Sequence, residues 1–118
     1  MSPAPQNATL QKLRNVTLES LCFGRYTVQF GFDRNYSLRI EASFRFGSHE
    51  SIANSPIFDF PLQETQLVRL LGQSVVQVFC EEDATLHLRF SNNDELIVYA
   101  NDEQYEAYTF DIDGPYVV

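Results

Sequence analysis

The sequence predicts an α+β domain: a mostly antiparallel sheet of about six strands built on a duplicated hairpin, with one or two short helices. Three observations predict it. Gly72–Ser91 (GQSVVQVFCEEDATLHLRFS) repeats Gly24–Ser43 (GRYTVQFGFDRNYSLRIEAS) at an offset of 48 positions with no gap. Apolar and polar residues alternate over long stretches, the signature of half-buried strands. Two segments, Ala8–Phe23 and Pro61–Leu71, instead space their apolar residues near a helical period. The chain reads as one domain, residues 1–118, with residues 1–7 a frayed tail and repeat halves at about 24–60 and 72–118.

In chain order, Leu10, Leu13, Thr17, Leu21 and Cys22 fit a helix capped by Asn7 and stopped at Gly24. Val16 and Thr17 equally allow a helix followed by a short extended piece. Tyr26, Val28, Phe30 and Phe32 alternate with polar or small residues, so this is a strand. Asp33-Arg34-Asn35 then turns it, because Asp and Asn bond their own backbone and tolerate left-handed geometry. Tyr36 to Phe46 alternates strictly for eleven residues and predicts one long strand. Residues 47–58 read as a loop, with His49 a solvated loop histidine.

Asp59-Phe60-Pro61 opens a predicted helix of about ten residues with Gly72 as its C-cap. The second copy follows. Val75–Cys80 is apolar on both faces and predicts a central strand. Glu81-Glu82-Asp83 turns it, and Ala84, Leu86, Leu88 and Phe90 alternate inward while His87 points outward, at the repeat position of Arg39. Asn92-Asn93-Asp94 turns the chain again. Glu95–Ala100 and Tyr105–Asp111 are two further strands, and Gly114-Pro115 breaks the chain before a short end. The two related hairpins share one continuous sheet or face each other across a core.

The net charge of −8 is unevenly placed. Residues 1–80 carry seven basic and six acidic groups, whereas residues 81–118 carry ten acidic groups against Arg89 alone. Nucleic-acid binding needs a basic footprint on phosphates, so that class is disfavoured. The pattern suits either steering towards a basic partner or a solvating acidic face. No apolar run approaches the ~20 residues that span a bilayer, and residues 1–15 lack the apolar core of a signal peptide, so a cytoplasmic, membrane-free protein is expected. Cys22 and Cys80 are then reduced thiols packed as small apolar groups.

Catalytic equipment is hard to draw. His87 with Cys80 or Ser91 lacks an orienting third group. Asp111-Ile112-Asp113-Gly114 looks like half a calcium loop without its bidentate Glu. No glycine-rich phosphate loop or His/Cys cluster is present, so no enzyme, metal or cofactor is expected. The acidic third does combine carboxylates with Tyr99, Tyr105, Tyr108 and Tyr116, and tyrosines are enriched in protein interfaces. Alternation turns about half of them inward.

The run LRIEASFRF (Leu38–Phe46) resembles the LRIESPFRF-type segment of a family of small bacterial proteins known only as a domain of unknown function. That family continues with G-x-x-V-x-x-V, L-x-L-x-F-x-D-G-x-x-L and a closing Y-E-A-W. Here these correspond to Gly72–Val78, Leu86–Leu96 and Tyr105–Tyr108. The departures are Asn93-Asp94 for Asp-Gly, Ala42-Ser43 for Ser-Pro, and Tyr108 for Trp. Members of this kind resemble immunity proteins, small partners of secreted bacterial toxins including those of contact-dependent growth inhibition. The resemblance implies a protein that neutralises a cognate basic toxin domain, with a nuclease as the expected target. On charge and aromatic content the expected contacts are Glu81, Glu82, Asp83, Asp94, Glu95, Tyr99, Asp102, Glu103, Tyr105 and Glu106. The alternatives are a small-ligand or metal-binding module under the 47–58 loop, and a structural oligomerisation domain joined through an exposed edge at residues 105–111.

Overall fold

A computed structural model describes residues 7–62, 65–100 and 107–117. Among these described residues ten strands run in order: β1 (Leu18–Phe23), β2 (Val28–Phe32), β3 (Ser37–Ile40), β4 (Phe44–Ser48), β5 (Ile57–Phe58), β6 (Val75–Cys80), β7 (Leu86–Phe90), β8 (Asp94–Val98), β9 (Tyr108–Asp111) and β10 (Pro115–Val117). They form two antiparallel five-stranded sheets, β1-β2-β3-β9-β10 and β5-β4-β8-β7-β6. One core takes its side chains from both sheets, Phe30, Leu38, Ile40, Tyr108 and Phe110 from the first and Phe44, Leu86, Leu88 and Phe90 from the second. The predicted six strands are therefore too few. The two halves of the repeat are hairpins, β2-β3 and β6-β7, but they lie in different sheets.

The strand predicted over Tyr36–Phe46 is instead two strands joined by a corner. Residues 41–43 leave the first sheet for the second, with the N–H groups of Glu41 and Ala42 both donating to the Ala107 carbonyl (2.9 and 3.1 Å) and Tyr99 N–H to Ser43 O (3.1 Å). Alternation survives the corner, because Leu38, Ile40, Phe44 and Phe46 all remain buried in the shared core. Hydrophobic pattern fixes which face is inside and says little about where a strand changes sheet. The Ser-Pro of the resembled pattern falls on Ala42-Ser43, inside this corner.

The predicted helix at Pro61–Leu71 reduces to a four-residue 3₁₀ turn, Leu67–Leu70, with Gln63 and Glu64 outside the described residues. Gly72 does close it, at φ +82°, a conformation that glycine adopts without strain. Near the N-terminus a single α-turn (Asn7–Leu10) and a 3₁₀ turn (Gln11–Leu13) precede β1. The reading of a short helix followed by an extended piece is the one that holds. The 47–58 segment contains a 3₁₀ stretch (His49–Asn54) and β5 as well as loop.

Strand β6, predicted central, is an edge strand, and its apolar character has another cause. An open edge invites pairing with other chains unless it is covered. Here Asn7 is not a cap but a clamp: its Oδ1 accepts from Cys80 N–H (2.8 Å) and its Nδ2 donates to Cys80 O (3.4 Å). Gln11 Nε2 donates to Val78 O (2.9 Å), and residues 15–18 pair with 72–75 through four backbone hydrogen bonds. A bulge between Val75 and Gln77 brings Val75 rather than Val76 into the core. At the other sheet, β9 lies between β3 and β10, so Tyr108–Asp111 is not an exposed edge open for oligomerisation.

Candidate protein-binding surface

The two hairpins have equivalent interiors. Phe30 and Val78, Phe32 and Cys80, Leu38 and Leu86, and Ile40 and Leu88 stand 48 positions apart, and each pair is buried. Their outward positions have diverged. Where the second hairpin carries Phe79, the first carries Gly31, and a Cβ there would lie 2.3 Å from Ser20 Oγ of the neighbouring β1. Where the second has His87, the first has Arg39.

Phe79 and His87 are cross-strand partners and stack, with ring centroids 4.3 Å apart and planes 8° from parallel. Phe79 nevertheless keeps 38% of its surface exposed. His87 Nε2 lies 2.8 Å from Glu81 Oε2, which ties the pair to the turn. In register across the same sheet the row continues as Ile97, Arg45 and Ile57. Ile57 is exposed, while Ile97 is buried yet lies outside the common core. The outer face of the second sheet thus carries a row of aromatic and aliphatic side chains with Arg45 among them, flanked at one end by an acidic turn.

That turn is built by its own backbone. Glu81 N–H donates to Thr85 O and Ala84 N–H to Glu81 O (both 2.9 Å), with Ala84 at φ +70°. Asp83 Oδ1 accepts from Thr85 N–H at 3.0 Å. Hydrogen bonds from Thr85 hold the Asp83 carboxyl below the usual carboxylate range. Glu81, Glu82 and Asp83 are all exposed. The equivalent turn of the first hairpin, Asp33-Arg34-Asn35, has mixed charge, and Asp33 Oδ1 accepts from Thr17 N–H (3.2 Å).

Of the other expected contacts, Asp94 and Glu95 do not join this surface. Asp94 and Glu95 sit at the far end of β7, a strand of five residues or about 17 Å at ~3.4 Å per residue. Both are buried, and both carboxylates have internal partners. Asp94 Oδ1 meets Arg69 Nη2 at 3.1 Å and its Oδ2 accepts from Asn92 Nδ2 at 2.9 Å. Glu95 Oε1 lies 2.7 Å from His49 Nδ1; His49 is solvent-exposed, as expected, and also paired. The adjacent turn explains the placement: Asn93 takes φ +70°, as the glycine of an Asp-Gly pair would. The Asp-Gly of the resembled pattern therefore corresponds to Asn92-Asn93, one position earlier than read from the sequence. Tyr99 is half-buried and its hydroxyl accepts from Arg45 Nε at 2.9 Å. Asp102, Glu103, Tyr105 and Glu106 lie outside the described residues.

Phe79, His87 and the turn carboxylates offer contact area and charge. Cys80 is buried, its thiol pushed up by desolvation, and its Sγ lies 3.4 Å from the hydroxyl of the equally buried Tyr108. Tyr108 itself is raised far above the ordinary phenol range, chiefly by burial, and donates to Ala84 O at 2.7 Å. Cys22, by contrast, is exposed rather than packed. Asp111 and Asp113 belong to the β9-β10 turn. Asp111 Oδ1 accepts from Gly114 N–H, and Asp113 pairs with Lys12 at 3.1 Å. Among the described residues no group of three His, Cys, Asp or Glu side chains is placed to hold a metal, and no helix is long and apolar enough to cross a membrane.

The exposure of Phe79 was hidden in the sequence by its apolar neighbours on β6. Setting it against Gly31 in the repeat is the signal that exposes it. Comparison with known families places the chain: a family model described as "Family of unknown function (DUF6188)" matches residues 9–118. The chain belongs to this family of unknown function. No curated protein matches it, and no solved structure matches it.

Proposed function

We propose that this chain is a non-catalytic protein-binding module of the immunity type, which neutralises a cognate toxin by covering a basic surface. The observation that carries the reading is the outward Phe79–His87 stack beside three exposed turn carboxylates. The corresponding face of the sister hairpin has a glycine and a mixed-charge turn. Exposed aromatics anchor interfaces, and like-signed rim charges accelerate encounter with an oppositely charged partner. A nuclease toxin fits, because its substrate groove must be basic, and an acidic inhibitor competes there with phosphate. The resemblance of the LRIEASFRF and Tyr105–Tyr108 segments to immunity-associated proteins supports the same class. The partner is a basic protein domain, and a cytoplasmic site of action follows from that role.

The test is co-purification of the full chain with the product of the gene immediately upstream. A basic toxin-like domain that elutes with it supports the reading. An upstream product with no basic domain, or two products that elute separately, refutes it.

A further inference from the structure

A second feature lies apart from the hairpin surface, where residues Phe46–Phe58 face the Thr65–Arg69 turn across a cleft of about 470 Å³. That volume falls within the range of small-molecule pockets, ~300–1,000 Å³. Its apolar walls are Phe46, Pro56 and Phe58. Its polar wall is Arg69, whose guanidinium lies 5.2 Å from the centroid of the Phe46 ring. Arg69 is held from two sides: Nη1 donates to Gln66 Oε1 at 2.6 Å and Nη2 to Asp94 Oδ1 at 3.1 Å. Two of the five N–H donors of the guanidinium are thereby used and three are left. Its side chain remains 47% exposed.

The polar groups of the lining are partly engaged with one another. Gln66 Oε1 and Asp94 Oδ1 are occupied by Arg69, and Asp94 Oδ2 by Asn92. Thr65 Oγ1 accepts from Leu67 N–H at 3.0 Å, which leaves its O–H to donate. The cleft therefore presents donors from Arg69, Gln66 and Thr65, while the Gln66 and Thr65 side-chain oxygens each already accept one hydrogen bond. Among the described residues that line the cleft there is no carboxylate. A flat apolar body with an anionic acceptor at one end fits both walls, because a pre-held guanidinium receives a carboxylate through parallel hydrogen bonds.

We propose that this cleft binds a small aromatic carboxylate, with Arg69 receiving the carboxylate and Phe46, Phe58 and Pro56 enclosing the ring. The site is independent of the hairpin surface and of the immunity reading. The test titrates the ¹⁵N-labelled full chain with benzoate, and with benzamide as the uncharged isostere. The expected result is saturable shifts at Gly47, Gln66 and the Arg69 Nε–H, with a midpoint for benzoate at least ~10-fold below that for benzamide, the ratio that one charge-assisted contact supplies. Arg69→Lys, which keeps the charge and loses the planar fork, should weaken benzoate ~10-fold. Pro56→Trp fills the cleft without removing the cation that balances Asp94, and should abolish the shifts while the spectrum stays dispersed. Equal responses to benzoate and benzamide, shifts centred away from the cleft, or a Pro56→Trp chain that still binds would each overturn the proposal.

Discussion

The two hairpins show how one pattern is put to two uses. Both bury the same inward positions, and both turn through residues with positive φ, Arg34 and Asn35 in the first and Ala84 in the second. They part company shortly after the second strand. In the first, Phe44-Arg45-Phe46 keeps alternating, and the chain rounds the corner into the other sheet. In the second, the equivalent Asn92-Asn93-Asp94 makes a tight turn, with Asn93 N–H donating to Phe90 O (2.9 Å), and β8 returns within the same sheet. Their settings differ as well. The first hairpin is flanked by β1 and β9 and has its outward glycine crowded by Ser20, whereas the second lies at an edge with its phenylalanine in solvent. A repeated interior constrains folding. The freedom to diverge lay on the outer face.

If the interiors are equivalent, truncations at matched positions should cost alike. Leu38→Ala and Leu86→Ala, both at fully buried sites, should each lose about 2–5 kcal/mol in denaturant unfolding. A loss confined to one hairpin would break the equivalence. Next in size, Tyr108→Phe removes the donor to Ala84 O at the second turn and should cost about 1–3 kcal/mol, since the carbonyl is left buried without a partner. Asn7→Ala should cost about 1 kcal/mol and raise hydrogen exchange at Cys80, because only the second hairpin relies on a side chain to cover its edge.

The pH dependence separates two groups at the turn end of the second hairpin. The folded Cys80 thiol is raised, so its contribution to stability is complete below the ordinary thiol range and is lost as pH rises through that range and beyond. The folded Asp83 carboxyl is lowered, so its contribution is present above the ordinary carboxylate range and is lost as pH falls through the folded value. Cys80→Ala should flatten the alkaline limb of the stability profile, and Asp83→Asn the acid limb by a smaller amount. Profiles unchanged by either substitution would contradict the assignment.

Much of this was legible in the sequence. The duplication located both hairpins, the period-two pattern identified their inward faces, and Glu81-Glu82-Asp83 was recognisable as a turn. Three features were not. The corner at residues 41–43 leaves the alternation intact, so only the small residues Ala42-Ser43 hint at it. The helical spacing of Leu62, Leu67, Leu70 and Leu71 comes from Leu67 and Leu70 entering the core from a 3₁₀ turn. The burial of Asp94 and Glu95 depends on Arg69 and His49, 25 and 46 positions away, which no local pattern reveals.

The most direct test is the affinity of the full chain for the product of the gene immediately upstream, proposed above to carry a basic toxin domain, at two salt concentrations. Phe79→Ala and a triple reversal, E81K/E82K/D83K, would be compared with Arg34→Glu on the first hairpin. The account predicts that Phe79→Ala weakens binding at least ~10-fold at both salts. It predicts that the triple reversal slows association most at low salt, and that Arg34→Glu leaves the affinity unchanged. Equal affinities across all the variants, or a loss confined to Arg34→Glu, would contradict it.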